Sequence, residues 1–176
     1  ENLGPDGRFK PAAQLRAVRD TAPLPRLIVD PNESWTIDEV RSLQGLLLEL
    51  RVDLLEQPLP AADDAALTGF VSAVPIAADE SVHAAADLAA LPDGYGVVNI
   101  KLDKAGGLTG ALELAQEARR LGLDVMTGCM ICSSLSIAPA LMIAVDSVFA
   151  DLDGPLWLAN DREGGVECIG GMLNPP

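Results

Sequence analysis

Four charged side chains could do chemistry together, and each stands at the end of a short apolar run. Three are carboxylates and the fourth is an amine: Asp30, Glu56, Asp79 and Lys101. Three anions held close together repel one another unless a cation lies between them, and an all-oxygen ligand set suits Mg²⁺ or Mn²⁺ rather than zinc. Such a cation can bind a substrate carboxylate and stabilise the enediolate that forms when a base removes the α-proton. Lys101 could be that base or the returning acid if the cation and burial lower its pKa toward neutrality.

Each carboxylate taken alone has a simpler explanation, because an acidic residue after a strand can cap the helix that follows. That explanation weakens for three carboxylates on successive strands with a lysine at the end of the fourth. A shared site is therefore the interpretation that the pattern favours, and capping stays the alternative for any single residue.

The elements that must position these residues repeat along the chain. Predicted strands end at residues 30, 56, 79, 101, about 128 and 151, in steps of 22 to 27 residues. Helices are predicted between them, including one opened by Pro11, one behind a Thr36–Glu39 capping box, one that Ser81 can cap and that runs to Leu91, and one closed by Gly122. Strands that alternate with helices at this spacing are βα units, which form a parallel sheet.

The repeat fits either an open doubly wound sheet or a (β/α)₈ barrel. Charged residues end five of the six predicted strands, and barrels place their chemistry at the C-terminal ends of their strands, so the barrel is favoured. A barrel needs eight strands and about 250 residues, whereas this chain has 176 residues. Either the sheet is open, or this sequence lacks two units of a longer barrel.

The amino-acid composition of the chain limits the kinds of partner that it can bind. Twelve basic residues against 26 acidic ones give a net charge of −14, which repels nucleic acid and anionic membrane surfaces. Three cysteines do not suggest a disulfide framework, so we expect a reduced, cytoplasmic protein that binds neither nucleic acid nor membranes. Cys129 and Cys132 form a C-x-x-C, but residues three apart on a strand point to opposite faces, so we expect no shared redox or metal role.

Six short motifs follow one another in this order: VDPNESW (29–35), LLEQPL (54–59), PIAADES (75–81), VNIKLDKAGGLT (98–109), GCM (128–130) and DLDGP (151–155). Together they resemble the enolase superfamily, within it the muconate-lactonizing subgroup, and most of all the dipeptide epimerases of the L-Ala-D/L-Glu type. The resemblance covers roughly residues 12–160, and the DLD step before GP points to the dipeptide epimerases.

The resemblance implies a fold and a reaction. The fold is a (β/α)₇β barrel to which residues 1–158 supply the third to eighth strands, about six βα units. Residues 159–176 would be an irregular C-terminal segment that packs on an N-terminal capping domain. The reaction is the Mg²⁺-dependent epimerisation of a dipeptide by 1,1-proton transfer at the α-carbon next to the carboxylate.

The resemblance also implies roles for individual residues. Three would bind Mg²⁺, with Mn²⁺ as a substitute: Asp30, Glu56 and Asp79. Lys101 would be one of two acid/base lysines on opposite faces of the α-carbon, and Asp151 and Asp153 would bind the ammonium group of the dipeptide. We expect three further polar residues to support the ligands from behind: Asn32, Glu80 and Asp103. Glu80 is expected to do so through a salt bridge, and Asp103 is expected to pair with Lys104, either there or at the surface.

The sequence departs from the family pattern at its start. The partner lysine lies in a K-x-K motif on the second barrel strand, which should come just before Glu1, and Lys10 follows a Pro/Gly loop and is no substitute. The capping domain is also absent, so we expect this chain to be one piece of a longer protein. We also expect that protein to be a homo-oligomer. Ile131 and Cys132 stand where the family often has a more polar pair. This difference bears on which substrate side chains the site would accept.

Other functions stay open within the subgroup. The alternatives are an o-succinylbenzoate synthase, a cycloisomerase, an N-acyl amino acid racemase and a non-catalytic barrel fragment. Asp151 and Asp153 argue against the first three, because their substrates lack a free ammonium group at this position.

Overall fold

A computed structural model of the chain describes residues 11–174 and contains one parallel sheet. Its six strands are β1 (Ile28–Val29), β2 (Leu54–Glu56), β3 (Ile76–Ala78), β4 (Val97–Lys101), β5 (Asp124–Gly128) and β6 (Phe149–Ala150). Each strand pairs with the next one along the chain, so the order is β1-β2-β3-β4-β5-β6. A doubly wound sheet reverses its strand order at a switch point, whereas a barrel does not. The prediction of a partial barrel is therefore confirmed.

The sheet curls until its two edge strands face each other. Arg26, just before β1, places its guanidinium carbon 4.0 Å from the centroid of the Phe149 ring on β6. Its Nη1 donates a hydrogen bond to the carbonyl oxygen of Val148 at 3.2 Å. One side chain thus spans the gap between the edges, and the curl encloses an interior face.

In the described part of the chain, four α-helices accompany the sheet: α1 (Pro11–Thr21), α2 (Ile37–Glu49), α3 (Leu108–Arg120) and α4 (Ser134–Ala144). The capping box of Thr36 and Glu39 is confirmed at the start of α2. Gly122 after α3 has a φ of +80°, the left-handed conformation that ends a helix. Within residues 11–174, none of the helices is both long enough and apolar enough to cross a membrane.

Two connections are shorter than predicted. Between β2 and β3, and between β3 and β4, the chain forms only 3₁₀ helices, Ala61–Leu67 and Ala85–Ala90. Such short segments have too few residues to offset the cost of nucleating an α-helix. The prediction that Ser81 caps a helix is wrong, because its hydroxyl is hydrogen-bonded to the side chain of Gln57 instead.

The C-terminal segment is more regular than predicted. Instead of being irregular throughout, it forms a hairpin in which β7 (Glu167–Ile169) runs antiparallel to β8 (Met172–Asn174). The same segment caps α4, since the carboxylate of Asp161 accepts hydrogen bonds from the backbone N–H of Ser134 at 3.1 and 3.2 Å. Its packing against a capping domain stays a prediction.

Strand alternation divides the core into two parts. An apolar layer lines the interior face and consists of Ile28, Leu54, Ala77, Val97, Met126 and Phe149. The outward-facing positions between them, such as Leu55, Val98 and Val125, join a larger core that includes residues of the helices. Since side chains alternate along a strand, residues two positions beyond the apolar layer face the same interior. Those residues are Asp30, Glu56, Asp79, Asn99, Gly128 and Asp151.

Candidate active site

The three predicted carboxylates stand at the C-terminal ends of three adjacent strands. Glu56 is the last residue of β2, while Asp30 and Asp79 lie one residue beyond β1 and β3. Glu56 and Asp79 are buried, at 4% and 1% exposure, whereas Asp30 on the edge strand is exposed. The register brings them side by side, because Glu56 pairs with Ala77, two residues before Asp79.

Two lysines share the carboxylate of Asp79. Lys101 Nζ donates to Asp79 Oδ2 at 2.7 Å. Lys104 Nζ donates to the backbone carbonyl of Asp79 at 2.6 Å and also bonds its Oδ1. The sequence predicted Lys101 here but not Lys104, for which we expected a pairing with Asp103.

The position of Lys104 follows from the turn after β4. The backbone N–H groups of Lys104 and Ala105 both bond the carbonyl of Lys101, at 3.1 and 3.0 Å. A turn of this helical type places side chains three residues apart on the same side. The polar, Gly-containing turn was visible in the sequence, and the three-residue spacing of the two lysines was the signal that could have identified Lys104.

The charges of the three carboxylates act on one another. Burial raises the pKa of Glu56 to about 7, and repulsion from Asp30 and Asp79 adds to this, while a hydrogen bond from Asn99 opposes it. Asp30 is exposed as a residue, but partial desolvation of its carboxyl raises its pKa, hydrogen bonds from Asn32 oppose this, and the charge of Asp79 adds to it. Burial would raise the pKa of Asp79 too, but the hydrogen bonds from Lys101 and Lys104 outweigh it and lower that pKa.

The pKa of Lys101 is raised rather than lowered. Burial alone would lower it, but the hydrogen bond to Asp79 and the negative charges of Asp79, Glu56 and Glu80 outweigh burial. A cation held by these carboxylates would offset those charges. The prediction of a lysine that titrates near neutrality therefore depends on the cation.

The donor set fits a hard divalent cation, although the carboxylates are not yet gathered around one point. Within residues 11–174 no three carboxylate, imidazole or thiol side chains form a closed metal-binding cluster. Both oxygens of Asp79 accept bonds from lysines, and Glu56 Oε1 accepts one from Asn99. The three carboxylates therefore converge less closely than their positions on adjacent parallel strands would suggest. Three mutually repelling carboxylates remain the type of ligand set that Mg²⁺ prefers.

Asn99 supports Glu56 from below Lys101 on the same strand. Its Nδ2 donates to Glu56 Oε1 at 2.5 Å, and the residue is 1% exposed. A Cβ at Gly128 on the neighbouring strand would lie 2.6 Å from Asn99 Oδ1 and 2.8 Å from its Nδ2. Strand alternation puts Asn99 on the same face as Lys101, two residues further along. Sequence reasoning gave Asn99 no role, and it missed the space that Gly128 leaves.

Asp151 and Asp153 lie at the rim of the same site. The pKa of Asp151 is raised by partial burial, then by the charge of Asp153 and that of Asp30, while Lys101 lowers it. The charges of Lys101 and Asp30 therefore both act on the carboxyl of Asp151. Asp153 Oδ2 accepts a hydrogen bond from Trp157 Nε1 at 2.9 Å, which orients this carboxylate.

The three predicted supporting residues are placed differently from one another. Asn32 contacts Asp30, because its backbone N–H donates to Asp30 Oδ1 at 2.7 Å in an Asx turn. Glu80 lies beside Asp79, and burial and that neighbour raise its pKa. Glu80 makes no ion pair in the described part of the chain, which differs from the salt bridge we expected. Asp103 is exposed.

The two cysteines of the C-x-x-C lie on the same side, which corrects the argument from strand parity. β5 ends at Gly128, so Cys129 and Cys132 stand in the following turn. A Cβ at Gly154 would meet both sulfurs, at 3.2 and 3.1 Å respectively. Burial raises the pKa of the Cys129 thiol to about 11, so it stays protonated and unreactive near neutral pH.

With this geometry in place, the chain can be compared with known proteins. The profile of the family described as enolase C-terminal domain-like matches residues 4–175. The chain belongs to this family. The resemblance to the enolase superfamily that the six motifs suggest is confirmed.

Curated relatives in this family are epimerases and racemases. L-Ala-D/L-Glu epimerase of Escherichia coli (strain K12) is 51% identical over 161 residues, which are 92% of this chain and 50% of that protein. N-acetyl-D-glutamate racemase of Pseudoalteromonas sp is 45% identical over 163 residues, 93% of this chain and 52% of that protein. The chain thus spans about half the length of the curated relatives it matches.

Solved structures agree with the partial enolase-type barrel. An enolase family member from Agrobacterium tumefaciens with homology to dipeptide epimerases, solved with sodium and L-Ala-L-Glu, has a TM-score of 0.90 and 51% identity over 93% of this chain and 50% of that one. A dipeptide epimerase from Methylococcus capsulatus, complexed with Mg and L-Arg-D-Lys, has a TM-score of 0.85 and 39% identity over 93% and 49% of the two chains.

A methyl group at Gly128 should disturb the site through Asn99. Gly128→Ala forces the buried Asn99 amide away from Glu56 and should cost about 1–3 kcal/mol of stability, as overpacking of a buried site does. Gly45→Ala is the matched control, because a Cβ there meets nothing within 4 Å in the exposed middle of α2. It should stabilise by about 0.5–1 kcal/mol. Urea unfolding of both variants measures this, and equal effects of the same sign would contradict it.

Proposed function

We propose that this chain is the barrel portion of an enzyme that epimerises a dipeptide by Mg²⁺-dependent 1,1-proton transfer. The observation that carries the proposal is the pairing of Lys101 with Asp79 at 2.7 Å, beside two more carboxylates at neighbouring strand ends. This pairing supports the proposal because a proton-transferring amine at this position would be within reach of the ligands that would orient a substrate carboxylate. The relatives that are named epimerases and racemases support the same class of reaction.

In this mechanism Lys101 transfers the proton. Its Nζ stands at the end of β4, and 14% of its side chain is exposed, so it is accessible yet largely desolvated. The neutral amine takes the α-proton from one face of the substrate, and the ammonium returns a proton to that face in the reverse direction. A divalent cation held by Asp30, Glu56 and Asp79 would supply the positive charge that the substrate carboxylate needs as its α-carbon loses a proton.

Lys104 keeps Asp79 in place while Lys101 works. Its bond to the backbone carbonyl of Asp79, at 2.6 Å, does not depend on the state of the Asp79 carboxylate. Lys101 can therefore turn away from Asp79 without leaving that residue unsupported. The second acid/base group, on the opposite face of the substrate, is proposed to lie outside residues 11–174.

The proposal that the substrate is a dipeptide depends on two carboxylates at the rim of the site. Asp151 and Asp153 offer two neighbouring carboxylates to a free ammonium group, and each raises the cost of leaving the other unpaired. Trp157 holds Asp153 in position. The substrate class proposed here is a dipeptide with a free amino terminus.

A second candidate is the racemisation of an N-acyl amino acid. It is favoured by one observation, the 45% identity to N-acetyl-D-glutamate racemase. An N-acyl substrate has no ammonium group, so the pair Asp151 and Asp153 would face a neutral amide and gain no charge pairing. The acidic rim therefore favours the dipeptide.

Replacing Lys101 should separate chemistry from metal binding. With the complete protein, Mg²⁺ and a dipeptide library in D₂O, NMR should detect exchange of the α-proton next to the carboxylate. Lys101→Ala should abolish exchange of at least one stereoisomer, because one face loses its base, while Mg²⁺ affinity measured by calorimetry persists. Unchanged exchange in both stereoisomers would remove Lys101 from the mechanism.

Replacing the rim carboxylates should distinguish the two candidates. Asp151→Asn with Asp153→Asn should lower kcat/KM for a dipeptide about 10- to 100-fold, the worth of a charge-assisted contact. Turnover of the same dipeptide with its amino group acetylated serves as the control and should not fall. A wild-type enzyme that turns over N-acetylated amino acids faster than any dipeptide would sink the dipeptide assignment.

A further inference from the structure

Gln57, directly after Glu56, is buried in an uncommon backbone conformation. It is 0% exposed and has a φ of +28°. A residue other than glycine persists in this region only when its surroundings hold it there, and such residues cluster at functional sites. The contacts that hold Gln57 therefore indicate what its conformation serves.

The backbone and the amide oxygen of Gln57 reach the loops behind all three carboxylates. Its N–H donates to Ala77 on β3 at 2.8 Å, and its carbonyl accepts from the N–H of Glu33, which follows Asp30, at 2.9 Å. Its Oε1 accepts from the backbone N–H of Asp79 at 2.8 Å and from that of Ser81 at 3.3 Å. One residue thus links the ends of β1, β2 and β3.

The amide nitrogen of Gln57 is fixed by a buried network on the other side. The two N–H groups of Nε2 are shared among three acceptors, which are the hydroxyl oxygens of Tyr95 at 3.0 Å and Ser81 at 2.8 Å and the carbonyl of Leu59 at 2.9 Å. The hydroxyl of Tyr95 donates its proton to Asp64 Oδ1 at 2.6 Å. Because that proton is committed to Asp64, Tyr95 can only accept from Gln57, and this sets which end of the amide faces Asp79.

We propose that Gln57 is a positioning residue that sets the spacing of Asp30, Glu56 and Asp79 and thereby the affinity of the site for a divalent cation. This inference rests on the proposed function of the three carboxylates as ligands. Gln57 is fully buried, so it would act without contacting a substrate. It would act by holding the backbone on either side of Glu56 and the N–H of Asp79 in one fixed arrangement, so that on binding only the carboxylate side chains, and not the strand ends that carry them, need to move.

Gln44 provides a comparison within the same chain. Its Oε1 also accepts from a backbone N–H and a serine hydroxyl, those of Ala73 and Ser72, at 2.6 and 3.0 Å. Its Nε2 donates to the carbonyl of Val40 on α2 at 2.9 Å. Gln44 thus resembles Gln57 in the bonds that its amide oxygen accepts, but it connects a helix to the loop before β3, away from the C-terminal strand ends that carry the carboxylates.

The test measures Mg²⁺ affinity of the complete protein by calorimetry. Gln57→Met, which keeps the shape and removes the polar atoms, should raise the Mg²⁺ dissociation constant about 10- to 100-fold, the usual effect of losing a residue that orients a ligand. Saturating Mg²⁺ should restore much of the proton exchange. Gln44→Met should leave the dissociation constant unchanged even where it lowers stability.

Tyr95→Phe covers the outcome in which Gln57→Met fails to fold. It keeps the ring and removes only the hydroxyl that orients the Gln57 amide, and it should raise the dissociation constant about two- to tenfold. Glu56→Gln tests the underlying proposal separately. If wild type fails to bind Mg²⁺, or Glu56→Gln binds as wild type does, the proposed function fails and Gln57 with it. Two outcomes would overturn only the role of Gln57. In the first, Glu56→Gln loses Mg²⁺ binding while Tyr95→Phe and any folded Gln57→Met bind Mg²⁺ as wild type does. In the second, Gln44→Met weakens Mg²⁺ binding as much as Gln57→Met does.

Discussion

The mutual repulsion of three carboxylates at one edge of the sheet is the constraint on which the rest of this site depends. Parallel strands in consecutive order bring Asp30, Glu56 and Asp79 to the same edge of the sheet. Two of the three are almost fully buried, so water cannot screen their charges. Burial, with repulsion from Asp30 and Asp79 added to it, raises the pKa of Glu56 to about 7.

Three sets of contacts from the surrounding residues stabilise these carboxylates. Lys101 and Lys104 place positive charge on Asp79, and Asn99 donates to Glu56, in space that the glycine at position 128 leaves open. Gln57 ties together the backbone segments that carry the carboxylates. Each device is compatible with a cation replacing Lys101 beside Asp79, and Lys101 would then be released for proton transfer.

The sequence predicted those features that depend on local pattern. Strand ends, the capping box at Thr36 and the face shared by Asn99 and Lys101 follow from periodicity and short motifs, and the strand order confirmed the barrel over an open sheet. Features set by tertiary contact were missed. Lys104 was assigned to Asp103 because its partner lies 25 residues away, and Ser81 was assigned a cap because nothing in the sequence ties it to Gln57. The parity argument for Cys129 failed because β5 ends one residue earlier.

The most direct test of the central claim is the anomalous diffraction of Mn²⁺ in crystals of the complete protein grown with a dipeptide. The account predicts one strong peak within bonding distance of carboxylate oxygens of Asp30, Glu56 and Asp79. It also predicts that Lys101 Nζ has left Asp79 and points to the α-carbon of the substrate. A peak elsewhere, or a Lys101 that stays bonded to Asp79 with no ion among the three carboxylates, would contradict it.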